Sequence, residues 1–424
     1  MNILKEVLKN EVYPALGCTE PVAAAYACAE VSRLSGLKNF SCFELTVTMD
    51  PGTYKNGFAV NLPNTNGEKG NLIACALGLI IARPDLKHSI FAGANAKTLA
   101  LARKLASGGK IKLCIDYTKK DFFVEASLKS GKNEAVCALS KGHFNISFLS
   151  LNGKILRSAS SKEKTLAYRE FLKNASFKDL LSWAEKADAR DLSYIKKGVE
   201  LNLSVSEKGM ATNNTALALK KAADKGLLAD DPCTEAKIKA AAATDARMNG
   251  LPLSVMSSGQ SGNQGVVATI LPYIYGKRMG KEEKKILKSV ALAHLVNAYI
   301  KTFLGELSPI CGCAVSSGAG AACAIAFQET DDADKIESAG RNVIADLGGM
   351  FCDGAKAGCA LKVASSCDCA FRSAALALNG WAVSEKDGFC EKTFSKTVKN
   401  LARLSAIGMS AVDSLIIETM AKKS

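Results

Sequence analysis

Residues 43–50, FELTVTMD, alternate apolar and polar side chains, the period-two pattern of a half-buried strand. Residues 51–57, PGTYKNG, supply turn chemistry, and residues 58–63, FAVNLP, alternate again. An Ala-rich helical stretch runs from about Leu72 to Ala106. Three β-like runs follow at residues 110–118, 122–140 and 143–156, with a hairpin signal at Ser130-Gly131-Lys132-Asn133. Upstream, residues 2–12 predict a short amphipathic helix ending near Pro14. A second helix begins after Gly17, with Thr19 as N-cap and Pro21 early in the helix. From about Ser161 helical periodicity dominates, broken by Gly-rich passages near 257–265, 311–320 and 348–358. The reading is an α+β protein in three parts: N-terminal helices (1–39), a β-rich module with an intervening helix (40–160), and a large α-helical module (161–424). The β-rich module is an insertion after the first helices, which are expected to pack on the C-terminal module.

The 424 residues are enough to bury a large core without a disulfide or metal staple. Hydrophobic residues make up 48% and charged residues 23%, which excludes disordered and collagen-like classes. The net charge of +14 would suit an anionic partner, but the basic residues are scattered, with no aromatic RNA-binding motif and no helix-turn-helix cue. No nucleic-acid partner is therefore expected. Residues 307–328 carry no charge, yet Gly, Ala, Ser and Cys dominate them, so they read as a buried, closely packed segment and not a membrane span. The N-terminus has no apolar signal region, which places the expected location in the cytoplasm, where thiols stay reduced.

Cysteine is the unusual residue: there are 15, with 3 His and 2 Trp. Seven fall between Cys311 and Cys369, where an even spread would put about two. As a small apolar residue, Cys explains Cys28, Cys75 and Cys323. It explains less well the cysteines of the glycine-rich turns SPICGCAVSSGAG (308–320) and GGMFCDGAKAGCALK (348–362). Paired C-x-x-C zinc spacing is absent, and three separated thiols on Gly-rich turns fit an iron–sulfur cluster with one iron left open. An open iron acts as a Lewis acid. Cys18, in Gly-Cys-Thr-Glu-Pro before a helix, is a candidate base or nucleophile whose thiol the helix dipole should acidify; the plainer reading is a cysteine that fits a tight turn. Arg247 in TDARMNG (244–250) can grip a carboxylate, and the Ser/Gly/Asn/Gln loop at 257–265 can meet a small polar ligand, although a polar surface loop is the plainer reading. His143 is a candidate general acid, set against a satisfied structural histidine.

Taken in order, GCTEP (17–21), KNG (55–57), GHFN (142–145), TDARMNG, SGNQG (261–265) and MFCDGAKAGCALK (350–362) resemble the L-cysteine desulfidase family, related to the iron–sulfur L-serine dehydratase α-chains. The resemblance covers Cys18 to Lys362, and its most specific runs are CDGA-x4-C and SGNQG. It implies a [4Fe–4S] cluster held by Cys311, Cys352 and Cys359, with Cys313 a rival for the first place, and Cys18 as catalytic base. The implied reaction is a pyridoxal-phosphate-independent α,β-elimination from L-cysteine to sulfide, pyruvate and ammonia. L-serine dehydration is the alternative within the same chemistry, and a non-catalytic iron–sulfur or thiol sensor the alternative of another class. Lys55, Asn56, His143, Arg247, Ser261, Asn263 and Gln264 are the expected substrate-binding residues. The expected partner is a small amino acid; homo-oligomerisation is left open, and no membrane partner is expected.

Overall fold

The computed structural model describes residues 1–119, 121–158, 167–305 and 307–423. Helix α1 (Ile3–Glu11), capped by the Asn2 side chain, leads into a short strand β1 (Pro14–Leu16) and then helix α2 (Thr19–Ser35). The N-cap of α2 is Cys18, one residue before the expected Thr19. Strand β2 (Glu44–Met49) confirms the alternation, with Leu45, Val47 and Met49 wholly buried. The expected turn at 51–57 is instead helix α3 (Pro51–Gly57). Asp50 caps it by accepting from the Thr53 amide at 2.9 Å, and Pro51 occupies the first turn. Residues 58–63 contribute only an isolated bridge, Asn61 to Lys69, because Pro63 and the left-handed Asn64 end the extended run.

Helix α4 (Gly70–Ile81), a 3₁₀ segment (Pro84–Gly93) and α5 (Ala96–Ser107) divide the expected Ala-rich helix, with Pro84 at the break. They cross to β3 (Ile111–Ile115), which pairs parallel to β2. Strands β4 (Phe123–Ser130), β5 (Asn133–Ser140), β6 (Ile146–Leu151) and β7 (Lys154–Ser158) complete a six-stranded sheet of order β3-β2-β4-β5-β6-β7. The β4–β5 hairpin turns where the sequence places it, with Ser130 opposite Asn133.

The helical part comprises α6 (Ala167–Asn174), α7 (Phe177–Glu185), α8 (Ala189–Gly209), α9 (Thr215–Asp224) and α10 (Pro232–Met248). Strand β8 (Ser254–Met256) precedes α11 (Gly262–Arg278), α12 (Glu283–Leu304), α13 (Ser316–Glu329) and α14 (Ala333–Leu347). Helices α15 (Cys359–Leu378), α16 (Phe394–Arg403) and α17 (Val412–Ala421) complete it. The fold is α+β. The module boundary expected at 160/161 lies outside the described residues. Residues 316–328 of the uncharged stretch form α13 and are buried throughout. No single helix among the described residues is long and apolar enough to cross a membrane.

Two hydrophobic cores organise these elements. Helix α1 joins the core of the large helical part. Helix α2 does not: it packs in the other core, against β4, β5 and α4. Its alanine-rich sequence explains the correction, because fifteen of its seventeen residues are buried and no polar face is left over. Gly78 of α4 lets the two backbones touch; a Cβ there would lie 2.1 Å from the Ala25 carbonyl. The cores are stitched by β1 and β8, an antiparallel pair from Pro14–Met256 to Leu16–Ser254 that the sequence reading did not foresee. That pair sets the Gly17–Cys18 turn beside the loop that starts α11.

Candidate active site

Two backbone bonds place the first pair of thiols. The Cys311 amide donates to the Met350 carbonyl at 2.8 Å, and the Cys352 amide donates to the Pro309 carbonyl at 2.6 Å. The two glycine-rich turns thereby run side by side. Cys359 follows at the start of α15, its thiol 3.7 Å from the Gly354 carbonyl. Gly354 sits at φ +90°, and a Cβ there would lie 2.6 Å from the Lys55 carbonyl, so this turn requires glycine. Cys311, Cys313, Cys352 and Cys359 line one cavity of about 110 Å³ together with Cys18. The fold brings all four proposed cysteines of the chemistry to one place.

Their environments differ. Cys311 is held down to about 6, because the Cys313 thiol donates to its sulfur and outweighs the cost of burial. Burial pushes Cys359 up to about 12 and also raises Cys352, against the pull of the Lys55 ammonium. Lys362 donates to the Phe351 carbonyl at 2.6 Å and pairs with Asp353, bringing positive charge beside Cys311 and Cys352.

Cys18 lies buried at the N-terminus of α2, and its thiol donates to Glu20 Oε2 at 2.9 Å. The expected acidification by the helix dipole is overturned. Burial first, and then the negative charge of Glu20, raise this thiol well above its ordinary value. Glu20, the fourth residue of GCTEP (17–21), is a site residue that the sequence alone does not single out. Its carboxylate also accepts from the Thr19 hydroxyl at 3.1 Å and, through Oε1, from the Asn56 amide at 3.0 Å. Burial alone would raise its pKa, but the neighbouring His143 and these bonds hold it below the usual carboxylate range. Asn56 continues the chain, since its Oδ1 lies 3.9 Å from the Cys352 thiol.

The expected binding residues divide. Arg247, Ser261, Asn263, Gln264 and Asn56 line the cavity. Arg247 donates through Nη1 to Asn263 Oδ1 and through Nη2 to the Gly17 carbonyl, which anchors the Cys18 turn. Gly262 makes room for it, as a Cβ there would lie 2.3 Å from Arg247 Cζ. Asn263 and Gln264 are buried in the first turn of α11, so the surface-loop reading does not hold for them. His143 stands outside the cavity lining, in the turn between β5 and β6, its ring centroid 4.7 Å from that of Phe122. Lys55 is also displaced from the expected role. Its buried ammonium donates to the Cys352 carbonyl at 2.7 Å and pairs with Asp413 of α17 at 2.6 Å.

The donor set fits an iron–sulfur cluster. Thiols are its usual ligands, and glycine-rich turns let three of them surround one group. Lysine charge close to two of those thiols offsets the negative charge such a cluster brings. Among the described residues no three His, Cys, Asp or Glu side chains converge tightly enough for a single metal ion. A cubane cluster spaces its thiolates more widely than one ion does, so the spread set suits it better.

The sequence profile of the serine dehydratase alpha chain family matches residues 94–418. A UPF0597 protein of Elusimicrobium minutum is 46% identical over 424 residues, covering 100% of both chains. A UPF0597 protein of Geobacter sulfurreducens is 44% identical over 427 residues, covering 100% of this chain and 99% of its own. One from Alkaliphilus oremlandii is 35% identical over 428 residues, covering 99% and 98%.

Proposed function

The chain belongs to the serine dehydratase alpha chain family, and from that premise we propose that it is an iron–sulfur lyase whose substrate is L-cysteine. The products are sulfide and an enamine that hydrolyses to pyruvate and ammonia. The observation that carries this reading is the convergence of Cys18 with Cys311, Cys352 and Cys359 on one small cavity that a buried arginine also lines. Cys311, Cys352 and Cys359 would hold a [4Fe–4S] cluster. Cys311 is the proposed ligand of that turn, with Cys313, in the same cavity lining, its rival. When bound, the cluster supplies an open iron, a Lewis acid for the leaving group.

The chain's own residues do the rest. Arg247 orients the substrate carboxylate, with Asn263 fixing the guanidinium. Cys18 is placed to take the Cα proton, which requires that its thiol, protonated in the free protein, first lose its own proton to become the thiolate. Asn56 with Gln264 and Ser261 shapes the wall around the side chain. A thiolate leaves without first being protonated, whereas a departing hydroxide needs a proton. L-serine remains the second reading, favoured by the family's description.

The test is anaerobic purification with iron and sulfide analysis, then sulfide release from L-cysteine beside pyruvate release from L-serine. Cys18→Ser is expected to retain iron and lose at least about a hundredfold in turnover. A sensor role would leave iron content and any iron-dependent binding intact, with no turnover in either protein.

A further inference from the structure

Glu20 and Arg247 pose one problem between them. Each is almost fully buried, at 7% and 3% exposure, and each lines the same cavity. Neither forms an ion pair among the described residues: Glu20 accepts from a thiol, a hydroxyl and an amide, and Arg247 donates to a side-chain amide and a backbone carbonyl. Each charge is balanced only at a distance, Glu20 by His143 and Arg247 by Glu20 and the thiols of the cavity, and a buried charge with no bonded counter-charge is costly. Here two such groups of opposite sign share a wall.

Between them lies the Gly17–Cys18 turn. Arg247 holds it from one side at the Gly17 carbonyl, and Glu20 holds it from the other through the Cys18 thiol. A free α-amino acid has the matching layout, because its Cα stands between a carboxylate and an ammonium. Resting on the lyase reading, we infer that Glu20 receives the substrate's α-ammonium group, so that Glu20 and Arg247 together clamp the zwitterion with its Cα facing Cys18. Charge selection then comes from both ends of the amino acid. Asn56 and Thr19 act as positioning residues, fixing the carboxylate that does the selecting. Glu20 carries no leaving-group chemistry in this scheme; it decides which molecules enter in register.

The experiment uses the iron-loaded protein, kept anaerobic, and two probes that lack a leaving group. L-alanine carries both charges and propionate only the carboxylate, and their affinities are read as inhibition constants against L-cysteine and by calorimetry. The unaltered protein should bind L-alanine at least about tenfold more tightly than propionate. Glu20→Gln should shrink that preference to within about twofold while propionate affinity and iron content stay unchanged. Glu20→Asp, which keeps the charge, should restore part of the preference. Arg247→Lys should weaken both probes together. A Glu20→Gln protein that keeps iron and the full preference for L-alanine overturns the assignment, even if it still releases sulfide. If the unaltered protein binds neither probe and releases neither sulfide nor pyruvate, the lyase reading fails and this inference falls with it.

Discussion

A thiol at a helix N-terminus ordinarily ionises easily, yet Cys18 has the dipole of α2 in its favour and still stays protonated. Removal from water and the adjacent Glu20 carboxylate both penalise a second negative charge, and together they outweigh the dipole. Cys311 shows the opposite balance in the same cavity, because a donated S–H bond favours its thiolate. The difference is measurable in iron-free protein by mapping iodoacetamide adducts on individual peptides. A thiol with a pKa near 6 is already ionised at pH 7, so the alkylation rate of Cys311 should be nearly flat from pH 7 to 9. Cys18 should resist at pH 7 and still lag at pH 9. A Cys311 rate that rises about tenfold per pH unit across that range would show an ordinary thiol and refute the S–H bond. At this scale the sequence was legible where chemistry is rare: cysteines set among glycines announce themselves. It was not legible for Glu20, since a glutamate in the first turn of a helix is already explained by the dipole. Only the fold shows that its carboxylate faces a thiol. Lys55 was misread for the converse reason, as its partners Cys352 and Asp413 lie hundreds of residues away.

Among the elements, α3 and α17 are joined through that lysine. Its side chain is 1% exposed, and Asp413 at the start of α17 is its counter-charge. The same nitrogen steadies the Cys352 carbonyl, so the C-terminal helix bears on the cluster turn without touching the cavity. Replacing Asp413 by Asn strands a buried cation, an arrangement that costs on the order of 3 kcal/mol. The expected outcome is a lower urea midpoint and faster loss of iron to a chelator, both read beside the unaltered protein. Unchanged iron release would show that α17 is an independent appendage. The strands were readable from sequence because their burial alternates with the pleat, as in Leu45, Val47 and Met49. Helix α3 and the pair β1–β8 were not. At seven and three residues they carry too little periodicity of their own, and tertiary partners decide them.

For the molecule as a whole, the site draws on both cores. Cys18, Glu20 and Asn56 come from α2 and α3, and the other thiols with Arg247 come from the helical part. Both cores are extensive and closed by apolar side chains, so folding does not depend on iron. Chelation should therefore abolish turnover while leaving far-ultraviolet circular dichroism within a few per cent of its starting value; collapse of the helical signal would contradict this. The α+β class could be read from the chain because a β-rich texture is set between helical ones. The path of α2 could not, since an alanine helix fits equally well against helices or a sheet. The pair of opposite charges lining the cavity has a consequence for the cell that holds this protein. An enzyme that strips sulfur from cysteine is a hazard to every protein containing that residue. A peptide-bonded cysteine offers neither a free ammonium to Glu20 nor a free carboxylate to Arg247. On the lyase reading, the two buried charges spare the proteome, and only the free amino acid is at risk.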